Sequence, residues 1–370
     1  MVIPEEPVSN TSGISPGNIA WRKFRRNPLS MSGAVCLIFA AALSVFAYPI
    51  IPDDSEWANR QVDELAKAPP GTSVTLWMKT NPEIAENQAS IFEFLFFGKP
   101  EKGTPIPLFP GSKPEFSGDT MHLITYDGMK LDVSRVHESN HIIEHTYLLG
   151  ADSRGRDMLS RMILGGRVSL SVGFLAVAIS ILVGMSLGAI AGFFGGWTDS
   201  IVMWFVSVTW SIPTLLLAIS LTFISQEKSF WVVFTAIGLS MWVEIARIVR
   251  GRIFELREEE YVEAAKALGY SQSRSLLRHV LPNVINPVLI VAAANFATAI
   301  LLEAGLSFLG FGVQSPVPSW GGMIREGYAN IIFESGKWLA IFPGLAIVFV
   351  VISLHLVGLG LRDALDPRLT

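Results

Sequence analysis

Residues 168–193 read VSLSVGFLAVAISILVGMSLGAIAGF, without one ionisable side chain. A helix needs about 20 mostly apolar residues to cross a bilayer core, so this stretch is long enough to span a membrane. Working outward, runs of similar length and character predict five more spans, at 30–51, 201–224, 230–249, 284–309 and 338–361. Composition agrees: of 370 residues, 50% are hydrophobic and only 16% charged, against roughly 25% charged in ordinary soluble domains. The expected fold class is an all-α integral membrane protein with six transmembrane helices and a small mixed α/β extracytoplasmic insert between the first and second.

Lys and Arg in short connections set orientation. They gather at Arg22, Lys23, Arg25 and Arg26, in the loop 250–283 (Arg250, Arg252, Arg257, Lys266, Arg274, Arg278), and at Arg362 and Arg368. Six spans put all three groups on one side, so N and C termini are expected in the cytoplasm and the insert outside. The expected divisions are an N-terminal tail 1–29, a first span 30–51, the insert 52–167, a five-helix core 168–361 carrying the loop 250–283, and a tail 362–370. The first run could be a signal peptide, but it is long and ends in Tyr48-Pro49-Ile50-Ile51-Pro52 without a small-x-small cleavage site, so it reads as an uncleaved anchor. The single cysteine, Cys36, leaves no disulfide or cysteine metal framework. A net charge of -4 gives no support for a nucleic-acid partner.

In the insert, Pro100, Pro105, Pro107, Pro110 and Pro114 predict that 98–118 is a loop. Segments 122–126 and 129–133 flank Asp127-Gly128 and predict a hairpin. His137-Glu138-Ser139-Asn140-His141 fits the H-E-x-x-H pattern of zinc proteases. On a helix His137, His141 and His145 would share a face, but Ser139-Asn140 is a poor helix centre and the third ligand is misplaced. Polar surface histidines are the preferred reading, and a membrane metalloprotease is the rival.

Gly184, Gly188 and Gly192 form a small-residue stripe suited to close helix packing. Glu244 stands three residues before Arg247, which predicts a local ion pair. Glu303, with Asn295 two turns earlier, is the candidate for a water-filled path or gate, with interhelical packing as the alternative. Pro213 is expected to kink the third span.

The loop after the fourth span contains Tyr261-Val-Glu263-Ala264-Ala265-Lys-Ala-Leu268-Gly269, then His279-Val-Leu281-Pro282. Good helix formers fill 258–268 and Gly269 stops them. A second helix is expected over 271–279, ending before Pro282. Glu-Ala-Ala, three residues, Gly, nine residues, then His-x-Leu-Pro resembles the signature of the membrane subunits of binding-protein-dependent ABC importers. With Gly155-Arg156-Asp157, Ser160-Arg161, Gly166-Arg167, Gly195-Gly196-Trp197-Thr198-Asp199 and the tail Arg362-Asp363-Ala-Leu-Asp366-Pro367-Arg368, the chain is most similar to the second permease of the dipeptide and oligopeptide branch. Trp204, Ser207, His355, Leu359 and Ala151 depart from that branch's usual residues, and the insert is longer than in most relatives.

The resemblance implies a multi-pass subunit of the bacterial inner membrane that moves peptides and is not itself an enzyme. It implies that Tyr261, Glu263, Ala264, Ala265, Leu268, Gly269, His279, Leu281 and Pro282 belong to the element docking on the ATPase. It further implies two ATPase subunits holding ATP and Mg, a homologous second permease and an extracytoplasmic solute-binding protein. No cofactor is expected on this chain, since Gly98-Lys99 and Gly336-Lys337 lack the rest of a phosphate loop. A receptor that senses a ligand without transport is a further rival.

Overall fold

The computed structural model describes residues 16–80, 90–99, 103–110, 112, 115–117, 120–134, 141–225, 229–331 and 336–366. Helix α1 (Pro16–Arg26) leads into α2 (Pro28–Val45). Asn27 caps α2 by accepting from the amides of Leu29 and Ser30 at 3.1 and 3.3 Å, and Pro28 sits at a first-turn position where its missing N–H costs nothing. The expected first span to residue 51 ends at Val45. Ala47, Tyr48 and Ile51 instead pack with Leu164 in a small apolar cluster beyond the helix.

The insert carries β1 (Thr72–Thr80), α3 (Ile91–Phe97), β2 (Gly103–Pro107), β3 (Glu115–Ser117), β4 (Thr120–Ile124), β5 (Lys130–Ser134) and β6 (His141–Tyr147). They form two antiparallel sheets, ordered β2-β1-β6 and β3-β4-β5. The expected hairpin forms between β4 and β5, with Gly128 at φ +79° in its turn. The expected loop over 98–118 is corrected: it contains β2 and β3. Pro105 and Pro107 are accommodated because β2 is an edge strand, where a missing N–H breaks no second ladder.

Helix α4 (Met158–Phe194) starts well before residue 168 because Asp157 caps it, accepting from the Ser160 amide at 2.7 Å. Next come α5 (Gly196–Trp210), α6 (Thr214–Ile224) and α7 (Phe230–Leu256). The glycine stripe lies against α7: a Cβ on Gly184, Gly188 or Gly192 would stand 2.5, 2.5 and 2.8 Å from the carbonyl oxygens of Trp242, Ala246 and Arg250. Numbers rise together along both helices, so α4 and α7 run parallel. The chain must therefore recross the bundle between them, and it does so in α5 and α6. These form no single kinked span: they are bent by 93° across Ser211, Ile212 and Pro213. Pro213 has φ -54° and ψ 128°, outside the helical region, and it supplies no N–H to α5.

After α7 come α8 (Glu260–Ala267) and α9 (Gln272–Ser275), then a π-helical turn at Leu276–Val280 that runs straight into α10 (Leu281–Leu309). The chain closes with α11 (Trp320–Tyr328) and α12 (Trp338–Leu365). Five helical stretches among the described residues are long and apolar enough to cross a membrane, or six when the bent pair is counted as one passage. At one end of the bundle α1, the end of α7, the start of α10 and the end of α12 surround a cavity of about 960 Å³. The three basic groups thus share an end, and the insert lies at the other.

Candidate functional site

At the α1 end, α8 is held by one face. Val262 is buried among Val249, Ile253, Leu256, Leu276, Val280 and Val284, and Ala265, three residues on, is buried as well. Glu263, Ala264 and Leu268 face outward, Leu268 with 80% exposure. Ala265 is therefore part of the chain's own packing, and only Ala264 of the pair is presented. Gly269, at φ +80°, lets the Tyr270 amide reach back to the Ala265 carbonyl at 3.1 Å and close the helix end.

The second helix of the loop does not stop before Pro282. Its π-helical turn bonds the Leu281 amide to the Leu276 carbonyl, and Pro282, lacking an N–H, takes the second position of α10. Asn283 ties the loop together, donating from Nδ2 to the Tyr261 hydroxyl at 3.3 Å and to the His279 carbonyl at 2.8 Å. The His279 ring meets Tyr270 edge-on at 5.7 Å. Glu263, Ala264 and Leu268 thus form the outward face. Ala265 and Leu281 belong to its footing, His279 is half-buried beside them, and Tyr261, Gly269 and Pro282 are exposed. Beside them Arg250 holds Asp199, at the start of α5, donating from Nε and Nη2 of one guanidinium edge to its two carboxylate oxygens. The pairing spans 51 residues, and its one local signal is an acidic side chain in the first turn of α5.

Midway along the helices lies a second cavity of about 410 Å³, lined by Trp210, Thr214, Ser240, Glu244, Arg247 and Asn295 among others. The expected Glu244–Arg247 ion pair is absent among the described residues. Arg247 instead lays its guanidinium over the Trp210 ring, 3.6 Å from the centroid, and Glu244 is exposed. Asn295 is 3% exposed and its Nδ2 has no partner; the Nε of Arg247 is likewise buried and unpartnered. Pro213 makes the break that separates Trp210 from Thr214 without itself lining the cavity.

Glu303 points elsewhere. Eight residues of helix turn by about 80° net at 100° per residue, which takes it off the Asn295 face. It is fully buried and accepts from Ser169 of α4 at 2.8 Å and from Ser307 at 2.7 Å. Its contacts are those of helix packing.

At the insert end, Gly155-Arg156-Asp157 and Ser160-Arg161 become a buried charge network. Arg156, with no exposed surface, donates to Asp152 at 2.6 Å, Glu326 at 2.9 Å and Asn59 at 3.3 Å. Arg161 lies 3.4 Å from the same Asp152. Arg167 donates to the carbonyls of Ser44, Val45, Leu95 and Phe96, joining α2 and α3 to α4. Nearby, burial raises the Tyr147 phenol above its usual value. Burial also works against ionised Asp54, but the hydrogen bond and charge of Lys99, with Arg60, outweigh it and hold that carboxyl below the ordinary range.

Of the H-E-x-x-H segment, His137 and the three residues after it lie outside the described residues. His141 opens strand β6, so from there on the segment is extended and not helical. At about 3.4 Å per residue, His141 and His145 stand roughly 13 Å apart, too far to share one ion. His145 is buried instead, edge-on to Tyr147 at 4.5 Å, its Nε2 3.7 Å from Asp157. No group of three metal-ligating side chains occurs among the described residues.

Comparison with known proteins gives a consistent set of relatives. Residues 184–370 match the family described as binding-protein-dependent transport system inner membrane component. Residues 15–70 match the N-terminal TM domain of oligopeptide transport permease C. A dipeptide transport system permease protein, DppC, of Alkalihalophilus pseudofirmus is 40% identical over 61% of this chain and 73% of its own. An oligopeptide transport system permease protein, OppC, of Haemophilus influenzae is 39% identical over 61% and 72%. A glutathione transport system permease protein, GsiD, of Pectobacterium atrosepticum is 36% identical over 67% and 81%.

Proposed function

The chain belongs to the family of binding-protein-dependent transport system inner membrane components, and from that premise we propose that it is one of two membrane subunits of an ATP-driven importer of short peptides. It is a transport permease of the peptide ABC type and not itself an enzyme. Its place is the bacterial cytoplasmic membrane, with both termini and α8 in the cytoplasm and the insert outside. It works with two ATPase subunits that hold ATP and Mg, a second homologous permease, and a solute-binding protein that delivers cargo to the outer face.

The observation that carries this reading is α8: a short helix at the inner end, fastened by Val262 and Ala265, with Glu263, Ala264 and Leu268 left outward. Such a face suits a groove on a partner, where the carboxylate fixes orientation by a charge-assisted bond and Ala264 permits close approach. ATP binding draws the ATPase pair together, α8 moves with its seat, and the two permeases rock between inward- and outward-open states. Peptide then passes between them.

The test is transport and peptide-stimulated ATP hydrolysis by the reconstituted complex. Glu263→Lys and Gly269→Asp each abolish both, while the chain still inserts and co-purifies with its sister permease. Normal transport by both variants overturns the assignment of α8.

A further inference from the structure

The mid-span cavity at the α5–α6 break is unusual in what it leaves unmade. A buried polar group without a partner forfeits about 1–3 kcal/mol, more when charged, and such groups mark places where something else binds. Two buried donors converge here: Asn295 Nδ2 and Arg247 Nε, neither with an acceptor. The one carboxylate among the lining residues, Glu244, is exposed and makes no ion pair with Arg247 three residues on. Trp210 pins the guanidinium by stacking, which keeps Arg247 from folding back onto Glu244. An ionisable side chain inside a span is costly and is retained where it meets a partner or a path.

A site that holds one anion and two donors apart is complementary to a ligand with a cationic end and an oxygen acceptor. We infer that this cavity is a subsite for a zwitterionic peptide. Glu244 receives the terminal ammonium, and Arg247 Nε with Asn295 Nδ2 receives the carboxylate or a main-chain carbonyl. Its volume of about 410 Å³ falls within the range of small-ligand pockets. Ser240, Thr214 and Thr298 supply further hydroxyls along the same wall. The inference rests on the peptide-import reading and gives that reading its contact residues.

The test uses the assembled complex in lipid nanodiscs without the binding protein, so that selection upstream does not intervene. Thr298→Cys is introduced together with Cys36→Ala, and the rate of thiol labelling is followed against trialanine concentration. Trialanine slows labelling. Its half-protecting concentration rises about tenfold in Glu244→Gln and separately in Asn295→Leu, the loss expected for one hydrogen bond to a charged group. N-acetyl-trialanine protects the parent complex no better than trialanine protects Glu244→Gln. If the same complex, now supplied with its solute-binding protein, imports trialanine in proteoliposomes yet shows no protection in the nanodisc assay, or equal protection in all variants, the subsite is overturned and the importer stands. If it imports no peptide at all, both fall.

Discussion

Gly155 and Gly269 have nearly the same backbone, with φ +70° and +80°, yet they sit in opposite surroundings. A Cβ on Gly155 would stand 1.8 Å from the Val62 carbonyl oxygen, inside the Arg156 network at the insert end. A Cβ on Gly269, at the α8 end, would meet nothing within 4 Å. One turn is fixed by everything around it. The other is fixed only by its own backbone. The junction at the insert end therefore holds the fold together, whereas the loop at the α8 end is aimed by local geometry and keeps its free surface for other contacts.

This contrast can be broken by mutation. Gly155→Ala combines left-handed strain with backbone overlap and is expected in the class above about 4 kcal/mol. Arg156→Met removes one of the two guanidinium groups on Asp152 and the one on Glu326, and is expected to cost about 3 kcal/mol. Both are read as loss of thermal stability in detergent and faster proteolysis of the insert. Gly269→Ala meets strain alone, about 1–2 kcal/mol. It is expected to speed amide exchange at 268–271 while the main unfolding transition stays in place; a global loss equal to that of Gly155→Ala would erase the distinction between the two ends. Leu268→Ser is expected within about 0.5 kcal/mol of the parent, with transport reduced all the same. The smallest effect is electrostatic. Asp54 has a folded pKa below its unfolded one, so its stabilisation is complete above about pH 4 and is lost as pH falls through the lower folded value. Asp54→Asn flattens that acid limb in a pH series of insert proteolysis.

The spans were legible because burial in lipid demands an apolar run and little else, and the helices over 284–309 and 338–361 lie where composition puts them. The first helix of the loop was legible for a different reason: Gly269 punctuates the backbone directly, whereas Pro282 marks no stop because a first-turn position of α10 needs no N–H from it. What escaped was decided by tertiary partners. The start of α4 looked like polar insert because Arg161 and Arg167 interrupt the apolar run, and it is tertiary partners, Asp152 and the carbonyls of Trp57 and Pro316 for one and those of α2 and α3 for the other, that make the charges tolerable. Proline in β2 read as loop, since an edge position is a property of the sheet and not of the strand. Glu244 and Arg247 have ideal spacing for each other, and it took Trp210, from another helix, to separate them. Asn295 and Glu303, paired as pathway candidates in the sequence, lie about 80° apart around the helix, and the Ser169 that donates to Glu303 belongs to another helix.

The glycine contacts between α4 and α7 have a mechanical meaning. Two helices whose backbones touch along a parallel seam bend together, as a doubled strut does, and shear past each other only by climbing over the carbonyls of Trp242, Ala246 and Arg250. At 27 residues, α7 is about 40 Å long. Its inner end bears on α8 through Leu256 and Val262, and its companion α4 begins next to the Arg156 network. A tilt of about 5° imposed at one end swings the other by about 3.5 Å over that length. The strut thus works as a lever arm that needs no flexible relay: its reach follows from helix length, and its stiffness from three missing side chains.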